Sequence, residues 1–145
     1  MSIREVMSTE LVTISPGGTL QEAVTKMLDE RVGSVVVNGE DEPVGIITET
    51  DVLAVGTTFE SPFSEIPVSR AMSENPVSIG PETSLEESVE TMKAYGIKKL
   101  PVVEDGSLVG IITLTDLVYQ QHELIDEIEQ IEQQRSEVDR TPETD

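Results

Sequence analysis

The chain has 145 residues and carries 9 Lys+Arg against 29 Asp+Glu, a formal net charge of −20. This length fits one compact domain or two very small ones that share a core. A surface this acidic repels phosphate backbones and anionic lipids, which excludes nucleic acids and membrane surfaces as partners. The chain has no cysteine, which excludes disulfides and thiolate chemistry. A single histidine, His122, argues against histidine metal sites and Ser-His triads.

The hydropathy of the chain predicts where the protein is found. No apolar run approaches the ~20 residues needed to cross a bilayer. The first residues lack the basic-then-apolar pattern of a signal peptide. We therefore expect a soluble, cytoplasmic protein. The charge of −20 is explained either by solubility alone or by a halophilic organism, whose salty cytoplasm screens the repulsion between acidic side chains.

The sequence repeats itself at a register of 65 residues, with no gap from residue 7 to residue 53. Met7 aligns with Met72, and Pro16 aligns with Pro81. The block at residues 44–51 matches its counterpart at seven of eight positions. Chance does not produce such a register, so the chain contains a duplicated unit.

Each copy predicts the order strand, helix, strand, strand, helix. In the first copy, residues 12–14 form a short extended run that ends at a proline. The capping-box pattern at residues 19–22 then begins a helix of about three turns. Apolar runs at residues 35–37 and 44–47 enclose a polar turn, as in a hairpin. Two such copies, packed sheet against sheet, would bury a core that one copy of ~50 residues cannot bury alone.

The last helix of each copy is predicted from Thr50-Asp51 and Thr115-Asp116, taken as N-cap and first turn. In the segment between the copies, the two phenylalanines are expected to fill a hydrophobic gap beside a sheet. The predicted parts of the chain are residues 3–55 (first repeat), 56–69 (linker), 70–119 (second repeat) and 120–145 (acidic helical tail, partly disordered from residue 136).

Several segments resemble the motifs of the CBS domain. Its G-h-h-[ST]-x-x-D-h signature, in which h is apolar, is matched twice in tandem. Its Met-Ser-x-x-x-Val-[TS]-Ile-x-Pro opening is also matched twice. Its G-h-[HR]-[HR]-h-P-V-V segment is matched once. The matching segments are residues 45–52 and 110–117, 5–16 and 70–81, and 96–103. The resemblance covers residues 3–119, about four-fifths of the chain.

This resemblance implies an α/β fold with two CBS repeats related by a pseudo-twofold axis, often called a Bateman module, followed here by a C-terminal helix. Such pairs have two clefts between the repeats, which typically bind AMP, ADP, ATP or S-adenosylmethionine. The family is usually regulatory and not catalytic. It has no cofactor of its own and passes the ligand state to a regulated protein, which the sequence does not identify.

The resemblance also implies which residues contact the ligand. Asp51 and Asp116 would accept hydrogen bonds from the ribose, and the neighbouring threonines would offer hydroxyls near a helix N-terminus, which favours phosphate. Two glycines would let a strand end approach the ligand closely, and the repeat openings would border the adenine pocket. The threonines, glycines and opening residues are Thr48, Thr50, Thr113, Thr115, Gly45, Gly110, Thr13, Ile14, Ser78 and Ile79. The alternative interpretation is structural, because Thr-x-Thr-Asp before an apolar run is also an ordinary helix start.

Lys98 and Lys99 match the basic positions of the family that face phosphate, whereas the first copy has Gly33 and Ser34 there. A solvated pair at the start of a strand is the alternative interpretation. We expect the cleft with Thr113, Thr115 and Asp116 to contain this lysine pair and to bind phosphorylated adenosine more tightly than its counterpart.

The tail and the helix faces predict a homodimer. Apolar residues of the tail follow the 3-4 spacing of a short heptad seam, and aliphatic faces of the repeat helices add apolar surface. The seam residues are Leu117, Gln121, Leu124, Ile128 and Ile131. The alternative functions are S-adenosylmethionine binding and a structural dimerisation module with empty clefts. Catalysis is not expected, because paired carboxylates such as Asp41 and Glu42 lie in a solvated hairpin turn.

Overall fold

The computed structural model describes residues 1–74 and 77–139. The first copy contains the predicted elements in the predicted order. They are β1 (Thr13–Ile14), α1 (Leu20–Glu30), β2 (Ser34–Asn38), β3 (Pro43–Thr48) and α2 (Glu49–Thr58). A further strand, β4 (Ser73–Glu74), was not predicted, and it completes a sheet of order β1-β2-β3-β4 in which only the β1–β2 pair is parallel.

The second copy has the same layout with a shorter opening. Its elements are α3 (Leu85–Tyr95), β5 (Lys99–Glu104), β6 (Ser107–Thr113) and α4 (Leu114–Asp139). β5 and β6 pair antiparallel. The strand expected at residues 77–79 is reduced to one parallel bridge between Ile79 and Val102.

The capping residues decide where the helices begin. The hydroxyls of Thr19 and Ser84 accept hydrogen bonds from the backbone N–H three residues later, so α1 and α3 begin where the capping-box pattern predicts. The last helix of each copy begins two residues earlier than expected. Thr48 and Thr113, and not the threonines at 50 and 115, are the capping residues.

The two copies exchange their opening segments. The N–H of Ile3 donates to Thr83 O at 2.9 Å, and the repeat-related N–H of Val68 donates to Gly18 O at 3.0 Å. Likewise, Ser8 bridges to β6 of the second copy, while β4 pairs with β3 of the first copy. These reciprocal contacts are consistent with a pseudo-twofold relationship between the two copies.

The exchange also divides the core into two clusters. The first contains Ile66 and Val68 from the segment predicted as a linker, and Phe59 and Phe63 pack against it, as predicted for the two phenylalanines. The second cluster contains Ile3 from the N-terminus. The other buried members of the first are Ile14, Leu20, Ala23, Met27, Val35, Val37, Ile47, Val55 and Ala71, and those of the second are Met92, Leu100, Val102, Ile112 and Leu117.

Helix α4 extends beyond the repeat and leaves apolar side chains in solvent. Leu117, the first residue of the predicted seam, is buried in the second cluster, whereas Ile128 and Ile131 are exposed. The helix continues to Asp139, so residues 136–139 are helical where disorder was expected. The disorder predicted for residues 140–145 and the side chain of Leu124 lie outside the described part of the chain. Within residues 1–74 and 77–139, no helix is long and apolar enough to span a membrane.

Candidate ligand-binding clefts

A cavity of about 650 Å³, here called cleft A, lies between the two copies. The first copy contributes Thr48, Thr50 and Asp51 at the start of α2. The second copy contributes Lys98 and Lys99. The remaining lining residues are Gly33, Ile46, Glu49, Ser73, Glu74, Val77, Tyr95, Gly96 and Ile97. Cleft A therefore combines helix-terminal hydroxyls, a carboxylate, two ammonium groups and aliphatic side chains.

The start of α2 holds Asp51 in a defined orientation. The backbone N–H and the hydroxyl of Thr48 donate to Asp51 Oδ2 at 2.9 and 3.0 Å, and the Asp51 N–H donates back to Thr48 Oγ1 at 3.3 Å. All hydrogen bonds that Asp51 accepts within the described residues end on Oδ2. Its Oδ1 is therefore available to accept from a ligand, while Oδ2 stabilises the first turn of the helix.

The repeat-related cavity, here called cleft B, has a volume of about 210 Å³. Thr113 and Asp116 line it and repeat the same capping geometry, with the Thr113 N–H donating to Asp116 Oδ2 at 3.0 Å. Thr115 is exposed and is not among the residues that line either cleft. The other lining residues are Ser8, Glu10, Leu11, Val12, Val32, Gly33, Ser34, Val36, Lys99 and Ile111.

The expected grouping of the lysine pair with Thr113, Thr115 and Asp116 is wrong for Lys98. Each cleft combines the helix start of one copy with the segment at the start of β2 or β5 of the other copy. Lys98 therefore lines cleft A together with Thr48 and Asp51. Lys99 lines both clefts and is half-buried. Burial lowers the pKa of Lys99, and the charge of Glu49 opposes this effect.

Gly45 and Gly110 do not line the clefts, which corrects their predicted role. A Cβ added at Gly110 would lie 2.6 Å from Met7 Sδ and 3.0 Å from the backbone oxygen of Ser8. Gly45 has the same relationship to Met72. The missing side chains thus admit the exchanged opening segment of the other copy, and not a ligand.

The four opening residues also lie outside the clefts. Ile14 is buried in the first cluster, and Ile79 packs against the second. Thr13 uses its carbonyl to accept from Lys26 Nζ at 2.6 Å, and Ser78 is exposed. The opening residues that do line the clefts are their neighbours, Val12 in cleft B and Val77 in cleft A. The alternation of side chains along an extended segment accounts for this shift by one residue.

Comparison with known proteins agrees with this architecture. The family model of the CBS domain matches residues 3–56 and 65–123. The chain belongs to the CBS-domain family. Among its relatives is the CBS domain-containing protein YhcV of Bacillus subtilis, which is 37% identical over 120 residues, covering 83% of this chain and 85% of YhcV.

Solved structures share the fold of this CBS pair. A conserved protein from Pyrococcus horikoshii superposes with a TM-score of 0.74 at 33% identity, covering 83% of this chain and 91% of that one. The CBS domain protein PAE2072 from Pyrobaculum aerophilum, complexed with AMP, superposes with a TM-score of 0.77 at 22% identity, covering 87% and 97% of the two chains. At 22% identity, the second likeness concerns the fold alone.

Several lining residues of the CBS pair were missed by sequence reasoning. Ser8 and Ser73 line clefts B and A respectively. Both belong to the repeated Met-Ser pairs, so the 65-residue register contained a signal for them. Tyr95 and Glu49 line cleft A, but their counterparts in the repeat are Glu30 and Leu114, and no repeated pattern marks them. No group of three or more His, Asp or Glu side chains suited to a metal ion occurs among the described residues.

Proposed function

We propose that this CBS pair is a regulatory module that binds adenosine nucleotides of the AMP, ADP or ATP class, with cleft A as the principal site. The observation that carries the proposal is the convergence of Asp51, Thr50 and Lys98 from two copies on one cavity. Its volume of about 650 Å³ lies in the range of ~300–1,000 Å³ that is usual for small-molecule sites.

Each part of cleft A suits one part of a nucleotide. The free Oδ1 of Asp51 is an acceptor for ribose hydroxyls. The N-terminus of α2 offers backbone N–H groups and the positive end of a helix dipole to a phosphate, and Lys98 adds an ammonium group. Ile46, Val77 and Ile97 give the aliphatic lining that a purine ring requires. The AMP bound to PAE2072 supports the same class of ligand.

S-adenosylmethionine is the second candidate, and the charges of cleft A favour it. Glu49 and Glu74 line the cavity in addition to Asp51. Three carboxylates would attract the sulfonium and ammonium groups of this ligand. For AMP, the same carboxylates oppose the phosphate, so Lys98 and Lys99 must compensate them.

A ligand screen tests the proposal. Thermal unfolding is measured with AMP, ATP, S-adenosylmethionine and adenosine, and calorimetry follows for each ligand that raises the melting temperature. A ligand at about 100 times its Kd adds ~2.7 kcal/mol to the free energy of unfolding. Stabilisation by AMP or ATP supports the proposal, and stabilisation by S-adenosylmethionine alone favours the second candidate. No response to any of the four would leave a structural dimerisation module with empty clefts.

The role that we propose for the bound nucleotide is regulation of another protein and not catalysis. The paired carboxylates Asp41 and Glu42 are exposed and lie in the turn between β2 and β3. They line a different groove, which also contains Asp105. Neither Asp41 nor Glu42 lines cleft A or cleft B. These two carboxylates are therefore not in contact with the cavities that suit ligand binding.

A further inference from the structure

Gly33 lines both cleft A and cleft B. A Cβ added at Gly33 would lie 2.9 Å from Glu49 Oε1 and 3.2 Å from Lys99 Nζ. Any side chain at residue 33 would therefore displace these two charged groups. Because residue 33 has no side chain, there is room for the ammonium group of Lys99 beside it.

The lysines differ in how many clefts they reach. Lys98 is exposed and lines cleft A alone, whereas Lys99 lines both clefts. Among the residues that line cleft B, Lys99 is the one Lys or Arg. Ser34, which is the repeat counterpart of Lys99, lines cleft B only. Lys99 thus lines two cavities, its ammonium group lies 3.2 Å from the Cβ position of Gly33, which also lines both, and the pseudo-symmetry supplies no second lysine.

We propose that Lys99 is a shared specificity-determining cation that binds the phosphate of a ligand in either cleft, but not in both at once. The proposal rests on the proposed function, because it assumes that both clefts take adenosine ligands. A phosphorylated ligand in one cleft then weakens phosphate binding in the other. By linkage, the effect is the same in both directions. Adenosine, which has no phosphate, binds the two clefts independently.

The environment of Lys99 explains why a phosphate would compete for it effectively. The flexible four-carbon stem of a lysine lets the ammonium group turn to either side. The group is partly withdrawn from water, and Glu49 is the acidic neighbour that offsets this cost. An incoming phosphate would form a charge-assisted hydrogen bond with this ammonium group.

The test separates the clefts with matched substitutions in the full chain. Ser73 and Ser8 are exposed, repeat-related residues that line cleft A and cleft B respectively. Ser73→Trp fills cleft A, and Ser8→Trp fills cleft B. Each variant is combined with Lys99→Gln, and with Lys93→Gln as a control of equal charge change at an exposed position that lines neither cleft. Calorimetry with AMP and with adenosine is performed on all of them.

A shared cation predicts that Lys99→Gln lowers AMP affinity about tenfold in both blocked proteins, because the phosphate loses one charge-assisted contact in each. Lys93→Gln and the adenosine titrations stay unchanged. In the unblocked chain, the product of the two stepwise AMP association constants falls about tenfold and not about a hundredfold, because only one phosphate loses its ammonium partner.

Loss of AMP affinity in only one blocked protein, or in neither, overturns the proposal. Where a tryptophan variant does not fold, Ser73→Glu and Ser8→Glu replace it, since a carboxylate in the cleft repels the phosphate instead of filling the space. If none of the proteins, including the unaltered chain, binds AMP or adenosine, the proposed function itself is contradicted. Binding of AMP that does not depend on Lys99 contradicts the shared cation alone.

Discussion

Met7 fills the space that a side chain on Gly110 would need. The two residues lie 103 positions apart in the sequence, yet a Cβ at Gly110 would come within 2.6 Å of Met7 Sδ. Gly110 of the CBS signature and Met7 of the opening segment therefore pack against each other across the two copies. The same contact recurs between Met72 and Gly45.

We predict that Gly110→Ala destabilises the fold. The methionine can shift, but the backbone oxygen of Ser8 lies 3.0 Å from the added Cβ and is held in place because it accepts a hydrogen bond from the Ile111 N–H of β6 at 3.0 Å. Overpacking of this kind costs ~1–3 kcal/mol, measured by urea denaturation. Gly80→Ala is the control, because a Cβ at Gly80 would meet nothing within 4 Å. Equal stability of the two variants would contradict this account.

Asp51 caps α2, and we predict that it also accepts hydrogen bonds from a ribose; two substitutions separate these roles. Asp51→Ala removes the cap of α2 and the ribose acceptor together. Asp51→Glu keeps a carboxylate at the position where the capping box usually has glutamate, but displaces its outer oxygen from the cleft. We expect both variants to lose ~1.5–3 kcal/mol of adenosine binding in calorimetry, while only the alanine variant loses ~1 kcal/mol of stability.

Nearly unchanged affinity in Asp51→Ala would mean that the carboxylate is a helix cap alone. Asp116→Ala and Asp116→Glu repeat the comparison for cleft B, where Thr113 has the same capping geometry. If only cleft A binds the ligand, the Asp116 variants lose stability without losing affinity for it.

We predict that Lys98 makes the clefts unequal for phosphorylated ligands. We expect cleft A to bind AMP about one to two decades more tightly than cleft B, since a charge-assisted contact of ~1.5–3 kcal/mol is made in one cleft only. Lys98→Gln should remove most of this difference and leave adenosine binding nearly unchanged in calorimetry. Two AMP sites of equal affinity in the unaltered protein would refute the inequality.

We predict a homodimer that forms through the apolar helix faces. Leu28 on α1, Leu53 on α2 and Val118 on α4 are 73%, 70% and 58% exposed in the single chain. Light scattering should give about twice the chain mass of 15.8 kDa, and Leu53→Glu should shift the mass toward one chain. Ser61→Glu adds the same charge at an exposed loop position and should have no effect. A single-chain mass for the unaltered protein at tens of micromolar and high salt would reject the dimer.

The stability of the protein should rise with salt. The turns that contain Asp41 and Asp105 line one groove and are joined by a hydrogen bond from the Leu108 N–H to Asp41 O at 3.0 Å. Like charges held together repel, and molar potassium chloride shortens the Debye length to ~3 Å. We expect the melting temperature to rise from low to molar potassium chloride. A flat salt series would contradict adaptation to a salty cytoplasm.

Local signals in the sequence predicted the elements well. The helix starts at Thr19 and Ser84, the hairpins and the tandem CBS motifs all depend on residues within a few positions of each other, and the structure confirms them. Even the opening of the last helix was displaced by only two residues, because Thr48 and Thr50 are equally good capping residues by type.

Contacts between the copies were not predictable in the same way. A single sequence does not show which helix start faces Lys98, because the repeat makes both starts look alike. It also does not show that Gly45 faces Met72 and not a ligand, since a glycine required by a close contact looks the same in either case. Thr48, Thr50 and Asp51 do line a cleft, whereas the glycines and the predicted opening residues line neither cleft A nor cleft B. Contact of any of these residues with a ligand stays a prediction.

The exchanged openings impose an order on biosynthesis. Arg4 forms ion pairs with Glu82 and with Glu104, the latter 100 residues further along the chain. On a ribosome, residues 3–8 are synthesised before the second hairpin, so the site that they occupy in the second copy does not yet exist. These contacts between distant parts of the sequence raise the contact order and slow folding. Cutting the polypeptide between its repeats would likewise leave each half without part of its own core.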